Sequence, residues 1–269
     1  MAKIDTAPSE RRGPLMNRSA SRWVTFVIVS LFTIFGAARG SLAENTAVTP
    51  APGGGERWMG RHEAINQRVK EDKVDLLFIG DSIVQNWKFP EDGKPVWDQF
   101  YGKRHPANLG ISGDRTEQVL WRLTHGNLDD ITPKLAIIMI GQNNGPFNTA
   151  EEIAEGVTAV VKTVRERTPN TKILLLGIFY RGEEPNEERK KLAKTNTIIA
   201  QLADNKTIHY MDICNIFLLP DGKISKDLMP DFEHPSPKGF CVWAEAIEAK
   251  VAELMGDAGA AGVPKCSHP

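Results

Sequence analysis

Five apolar runs separated by helical patterns constrain this chain more than any other feature. They are Val74-Asp75-Leu76-Leu77-Phe78-Ile79, Ala107-Asn108-Leu109, Leu135-Ala136-Ile137-Ile138-Met139-Ile140, Ile173-Leu174-Leu175-Leu176-Gly177 and Ile208-His209-Tyr210-Met211. All but the short second run are rich in the branched and aromatic residues that fit a buried strand. Helical spacing fills 58–72, 117–123, 150–167, 187–203 and 238–254. Strands alternating with helices long enough to cross over predict an α/β fold with a parallel sheet covered on both faces.

The chain outside this alternation divides into three further parts. Residues 1–43 carry Arg11, Arg12, Arg18 and Arg22 ahead of an apolar stretch from Trp23 to Ala38, then small residues at Ser41-Leu42-Ala43. That layout predicts a secretory signal peptide, with an uncleaved membrane anchor as the alternative; no stable span is expected once it is removed. Residues 44–56 are Pro- and Gly-rich and read as a flexible linker, and 256–269 as a disordered tail. The folded domain is expected over 57–255.

A chain of 269 residues with a net charge of −1 and no long basic run makes no electrostatic case for nucleic acid. Its three cysteines, Cys214, Cys241 and Cys266, leave room for one disulfide, but nothing in the sequence brings Cys266 out of the tail toward the others. No cysteine sits where a nucleophile would. A homodimer is compatible with the sequence without being specified by it.

In a parallel sheet the ligand crevice lies beyond the carboxyl ends of the strands, so chemistry is sought in the loops that follow them. Those loops are Gly80-Asp81-Ser82-Ile83, Gly110-Ile111-Ser112-Gly113-Asp114, Gly141-Gln142-Asn143-Asn144-Gly145 and the late Asp231-Phe232-Glu233-His234-Pro235. Acyl transfer needs a nucleophile, a base, a group that orients the base, and donors for an oxyanion. Ser82, His234, Asp231, and Gly113 with Asn143 can supply them in that order.

Each has a plainer reading. Ser82 is equally a helix N-cap, Gly110 and Gly113 serve turns, and Asn143 and Asn144 are ordinary turn residues. The pair His209 and Asp212 has the same spacing as Asp231 and His234 in reverse order, but sits on and just past a strand and reads as structural. Metal hydrolysis through Asp81, Asp114, Asp231 and His234 is the chemical rival, although no closely spaced histidine pair or cysteine cluster supports it.

Taken together, Gly80-Asp81-Ser82, Gly113, Gly141-x-Asn143 and Asp231-x-x-His234 resemble the four blocks of the SGNH hydrolase superfamily, the GDSL esterases. Within it the chain is similar to the platelet-activating factor acetylhydrolase catalytic subunits. That likeness rests on Gly113-Asp114-Arg115-Thr116, Val119-Leu120-Trp121-Arg122-Leu123, Asn143-Asn144, Thr149-Ala150-Glu151-Glu152 and Arg181-Gly182-Glu183. The resemblance spans about 72–250. It implies a three-layer α/β/α sandwich on a five-stranded parallel sheet, flavodoxin-like, with no metal or organic cofactor. It also implies Ser82 as nucleophile, His234 as base, Asp231 as its orienter, and an oxyanion hole from the Ser82 and Gly113 N–H groups and the Asn143 side chain.

Two positions depart from those relatives. Gln142 stands where they usually have Thr, and Glu233 where they usually have Leu; with Asp81, Ile83 and Asn144 these are the substrate-pocket candidates. A carboxylate beside His234 is costly to desolvate against a lipid, so a polar ester, such as an acetylated saccharide, is expected. The expectation is therefore an exported serine esterase that removes short acyl groups. A lipid acetylhydrolase and a non-catalytic saccharide-binding module are the alternatives.

Overall fold

The computed structural model of the chain describes residues 44–257 and 265–266. The expected leader at 1–43 lies outside the described residues, as does most of the expected tail. Among the described residues no helix is long and apolar enough to cross a membrane.

Five parallel strands form one sheet in the order β2-β1-β3-β4-β5: β1 Leu76–Gly80, β2 Pro106–Gly110, β3 Leu135–Met139, β4 Lys172–Leu176 and β5 Ile208–Met211. The helices are α1 Glu56–Glu71, α2 Ser82–Gln85, α3 Lys94–Phe100, α4 Thr116–Arg122, α5 Ala150–Arg167, α6 Glu187–Ile199 and α7 Pro237–Met255. The expected five-stranded parallel α/β sandwich is what forms. Helix α3 is absent from the helical patterns of the sequence: at 7 residues it offers too few turns for a periodic signal, though it buries Val96, Trp97 and Phe100.

Alternation along the strands builds two cores. Leu77 and Ile79 of β1, Ala136 and Ile138 of β3, and Ile173 and Leu175 of β4 face a layer that includes Ile65 of α1, Val119 of α4, Val157 of α5 and Leu192 of α6. Leu76, Phe78, Leu135, Ile137 and Leu174 face the other way, toward Trp87, Trp97, Tyr101, Phe240 and Trp243. Strands buried on both faces read as continuous apolar runs, which is why the sequence displays them so clearly.

The sheet reverses direction at β1: the chain passes from β1 outward to β2, then back across to β3 on the other side of β1. In this strand order the crevice at the carboxyl ends of β1 and β3 is where ligands bind. The loop after β1 carries Ser82 and the loop after β3 carries Asn143.

Two expectations are corrected. The stretch 44–56 is not a flexible linker but is fastened to the domain. Asn45 Nδ2 donates to Glu155 Oε2 at 2.7 Å, Thr116 Oγ1 donates to the Ala47 carbonyl at 2.7 Å, and Ala47 is fully buried. Its composition suggested disorder, but these polar anchors lie on α4 and α5 and are invisible locally. The tail also returns: Cys266 is bonded to Cys241 of α7, and its N–H donates to Glu245 Oε1 at 3.1 Å. The third cysteine, Cys214, is buried, and burial pushes its thiol well above the usual range.

Candidate active site

Gly80 ends β1, and the chain turns so tightly that a Cβ there would collide with the Met139 carbonyl and the Val84 side chain. Gly110, paired with it across β1 and β2, has the same need: a Cβ would meet the backbone of Gln85 in α2. These glycines let α2 start directly at the strand end. Its N-cap is Asp81, whose carboxylate accepts from the Ile83 N–H at 3.0 Å. Ser82 is therefore the first helical residue rather than the cap, and its hydroxyl is left for another partner.

That partner is His234, 152 residues later: Ser82 Oγ and His234 Nε2 lie 2.9 Å apart. On the far side of the ring, His234 Nδ1 is 2.7 Å from Asp231 Oδ2. The other Asp231 oxygen accepts from the backbone N–H groups of His234 at 2.7 Å and Glu233 at 3.0 Å. Phe232, between them, takes a left-handed φ of 61°, uncommon for a bulky residue, and this kink curls the loop around the carboxylate. Burial pushes the Asp231 carboxyl up, but the hydrogen bonds from His234 and Glu233 outweigh it, and the net shift is downward. An ionised Asp231 on Nδ1 favours the tautomer whose Nε2 lone pair faces the Ser82 hydroxyl.

The other candidate donors lie on two other loops. Gly113 has a φ of 82° with open space where a side chain would stand. Asn143 Nδ2 donates one hydrogen to the Asp114 carbonyl at 3.0 Å, and the amide retains a second N–H. As the first residue of α2, Ser82 has no acceptor one turn back in the helix for its own N–H.

Beneath these loops lies a buried network that the sequence alone does not disclose. Asp114 accepts from Trp58 Nε1 at 2.6 Å and from Arg122 Nε at 2.7 Å, while Arg122 also donates to the Gly80 carbonyl at 2.9 Å. One fully buried guanidinium thus ties the turn that carries Ser82 to the loop that carries Gly113. Asp114 and Arg122 stand within segments that carry the family resemblance, but only folding reveals that they meet.

The remaining pocket candidates divide. Gln142 is buried and its amide donates to the Phe179 carbonyl at 3.1 Å; Asn144 is fully buried, accepts from the Thr116 N–H at 3.0 Å and donates to Glu117 at 3.1 Å. Both brace the loop from behind rather than line a pocket. Asp81 and Ile83 are each 1% exposed and equally withdrawn. Glu233 alone remains partly accessible, with Oε1 3.5 Å from Arg181 Nη1. Nor do the acids of the metal alternative converge: among the described residues, Asp81, Asp114, Asp231 and His234 form no group of mutually close ligand atoms.

Burial, opposed by the Ile83 N–H and reinforced by Asp114, pushes the Asp81 carboxyl up to about 7. The folded protein then holds a proton that the unfolded chain releases near pH 4, so this group lowers stability as pH rises from about 4 to 7. Asp81→Asn keeps a capping oxygen and removes the titration. Urea midpoints of wild type should fall relative to the variant across that range; a pH-independent difference would refute the assignment.

The family profile described as GDSL-like Lipase/Acylhydrolase matches residues 78–240. The platelet-activating factor acetylhydrolase IB subunit alpha2 of Rattus norvegicus is 37% identical over 203 residues, covering 75% of this chain and 86% of that protein. A GDSL-like lipase from Bacteroides thetaiotaomicron superposes with a TM-score of 0.57 at 19% identity, covering 76% of this chain and 97% of the other. A carbohydrate acetylesterase from Sinorhizobium meliloti superposes with a TM-score of 0.54 at 20% identity, covering 68% and 100%. At these identities the two superpositions speak to the fold.

Proposed function

The chain belongs to the GDSL-like lipase/acylhydrolase family and is a carboxylic ester hydrolase, and from that premise we propose that it removes acetyl groups from a saccharide through an acyl-enzyme on Ser82. The observation that carries this reading is the relay of Ser82 Oγ, His234 and Asp231 at 2.9 and 2.7 Å. His234 Nε2 takes the hydroxyl proton as Oγ attacks the ester carbonyl. The resulting oxyanion is held by the Ser82 and Gly113 N–H groups and the second N–H of Asn143. Collapse expels the alcohol, which receives the proton from His234. Water then attacks the acyl-serine, His234 again accepting a proton, and acetate leaves with Oγ reprotonated.

Nothing in this cycle calls for a metal or an organic cofactor. The preference for a saccharide rests on the polar rim: Glu233 beside His234, joined by Arg181, is poorly suited to an alkyl chain. The carbohydrate acetylesterase of the same fold is in keeping with it. The acetylhydrolase relative, named for a lipid mediator, favours a second reading with the same chemistry and a lipid ester as substrate. Export fits the arginine-led apolar segment of the leader and the Cys241–Cys266 disulfide, a bond that persists in oxidising compartments.

The test is acetate release across acetylated xylan, acetylated simple sugars and a short-chain phospholipid, alongside labelling with a fluorophosphonate. Faster turnover of the saccharides and a covalent mass increment on the Ser82 peptide are expected. Preference for the lipid would move the chain to the second reading, and saccharide binding without labelling or acetate release would make it a binding module.

A further inference from the structure

Next to the Gly113 loop a cleft of about 570 Å³ opens between the anchored N-terminal segment, α1 and the loop after β2, and Ser82 does not line it. Its walls include Gly53, Arg57, Arg61, Ser112, Arg115 and Gln118. We propose that this cleft is a subsite for an anionic unit of the substrate, a uronate carboxylate or a sulfate ester on a saccharide, held by Arg57 and Arg61 while a neighbouring acetyl ester reaches Ser82. The proposal rests on the saccharide-esterase reading and narrows it to acidic glycans.

The charges within the cleft do not balance. The carboxylate of Asp114, the sole acid among its lining residues, is committed to Arg122 and Trp58. Arg115 is paired with Glu117 at 2.9 Å and lies over the Phe147 ring at 4.6 Å. Among the described residues Arg61 pairs with no carboxylate: its Nε donates to the Gly110 carbonyl at 3.2 Å and its Nη2 to the Asn108 carbonyl at 2.9 Å and to Asn108 Oδ1 at 3.3 Å, and Nη1 has no partner among those residues. Burial, with Arg122 nearby, holds its guanidinium down at about 10, so a bound anion would relieve it. Arg57 is exposed and has no partner among the described residues. Two guanidinium charges therefore face one cavity uncompensated, and guanidinium is the group best shaped to take a carboxylate or sulfate in paired hydrogen bonds.

Position and lining favour a saccharide over a phospholipid headgroup. The cleft adjoins Gly113, so a unit seated there would be a neighbour of the reacting ester. Its few apolar members, Ile111 and Trp58 among them, are 3% and 7% exposed and offer little surface to acyl chains. The N-terminal segment that completes the wall contributes Pro52, Gly53 and Gly54, which leave the cavity open.

The test uses the full chain and its Arg57→Gln variant, because Arg57 is exposed and makes no contact that folding needs; Arg61→Gln serves as a second variant. Calorimetric titration with unacetylated trigalacturonate and with a sulfated chondroitin disaccharide distinguishes carboxylate from sulfate, and glycerophosphocholine is the comparison. At least one acidic saccharide should bind, with Kd raised about tenfold in Arg57→Gln and raised again in 0.5 M salt. The ratio of kcat/KM for acetylated trigalacturonate to that for acetylated xylotriose should fall about tenfold in the same variant. Equal binding by variant and wild type, tighter binding of glycerophosphocholine, or an unchanged ratio overturns the subsite. Acetate release from acetylated xylotriose without any binding of the acidic saccharides would overturn it while leaving the esterase reading intact. Acidic-saccharide binding lost on Arg57→Gln, with no acetate released from any ester, would do the reverse.

Discussion

Ser82→Ala is expected to lower kcat on acetyl esters about 10⁶-fold, with the fold unchanged. In the proposed mechanism the hydroxyl forms the acyl bond, and its 2.9 Å contact with His234 Nε2 is the route by which its proton leaves. Without it, attack falls to water, which gains from the oxyanion donors but from no covalent step. Residual turnover should stand roughly 10³–10⁴-fold above the uncatalysed rate, the share that such donors and substrate binding provide alone. Ser82 is the first residue of α2 but not its cap, so alanine there removes no capping bond and even suits the helix. Unfolding midpoints should therefore match wild type. Activity within tenfold of wild type would show that some other group is the nucleophile.

Asp231→Asn should lower kcat about 10⁴-fold, nearly all of it in the chemical step. The two oxygens of Asp231 do different things, since one holds the imidazole Nδ1 while the other gathers the backbone N–H groups of His234 and Glu233. An asparagine can keep the backbone bonds through its carbonyl only by turning its NH₂ toward Nδ1. The ring must then carry its proton on Nε2, where it cannot take one from Ser82. KM should move little, since no substrate contact is lost. The folded carboxyl is held below its usual range, so the stability it adds is present above the unfolded value near 4 and disappears as pH falls through the folded one. Asp231 is more than half exposed, which keeps that contribution small. Loss of turnover by less than tenfold would mean that the ring is oriented by something else.

The sheet was legible because its central strands β1, β3 and β4 are buried on both faces and show in the sequence as near-continuous apolar runs, whereas the edge strands β2 and β5 are only partly buried and carry polar residues such as Asn108 and His209. The catalytic candidates came from a related pattern: loops after parallel strands gather at one edge, which is where Ser82, Gly113, Asn143 and His234 were sought, and the structure brings Ser82 and His234 into contact there. Their neighbours could not. Gln142 and Asn144 flank Asn143 and looked like pocket residues, yet in a short turn side chains one position apart point in different directions. These two turn inward, to Phe179 and Glu117. The loop carrying His234 depends on a left-handed Phe232, a conformation that no local preference of phenylalanine foretells.

What the sequence determined by itself is the α/β architecture and which groups to propose as reacting, because periodicity and strand-end loops are local properties. What only the tertiary structure decided is which distant residues those groups lean on. The Trp58–Asp114–Arg122 network joins α1, the β2 loop and α4, the Cys241–Cys266 bond recovers a segment whose composition reads as disordered, and Pro52, Gly53 and Gly54 form one wall of the arginine-lined cleft. Each depends on contacts between segments far apart in the chain, and a lone arginine or a Gly-Pro stretch carries no mark of its partner until the sheet has brought the two together.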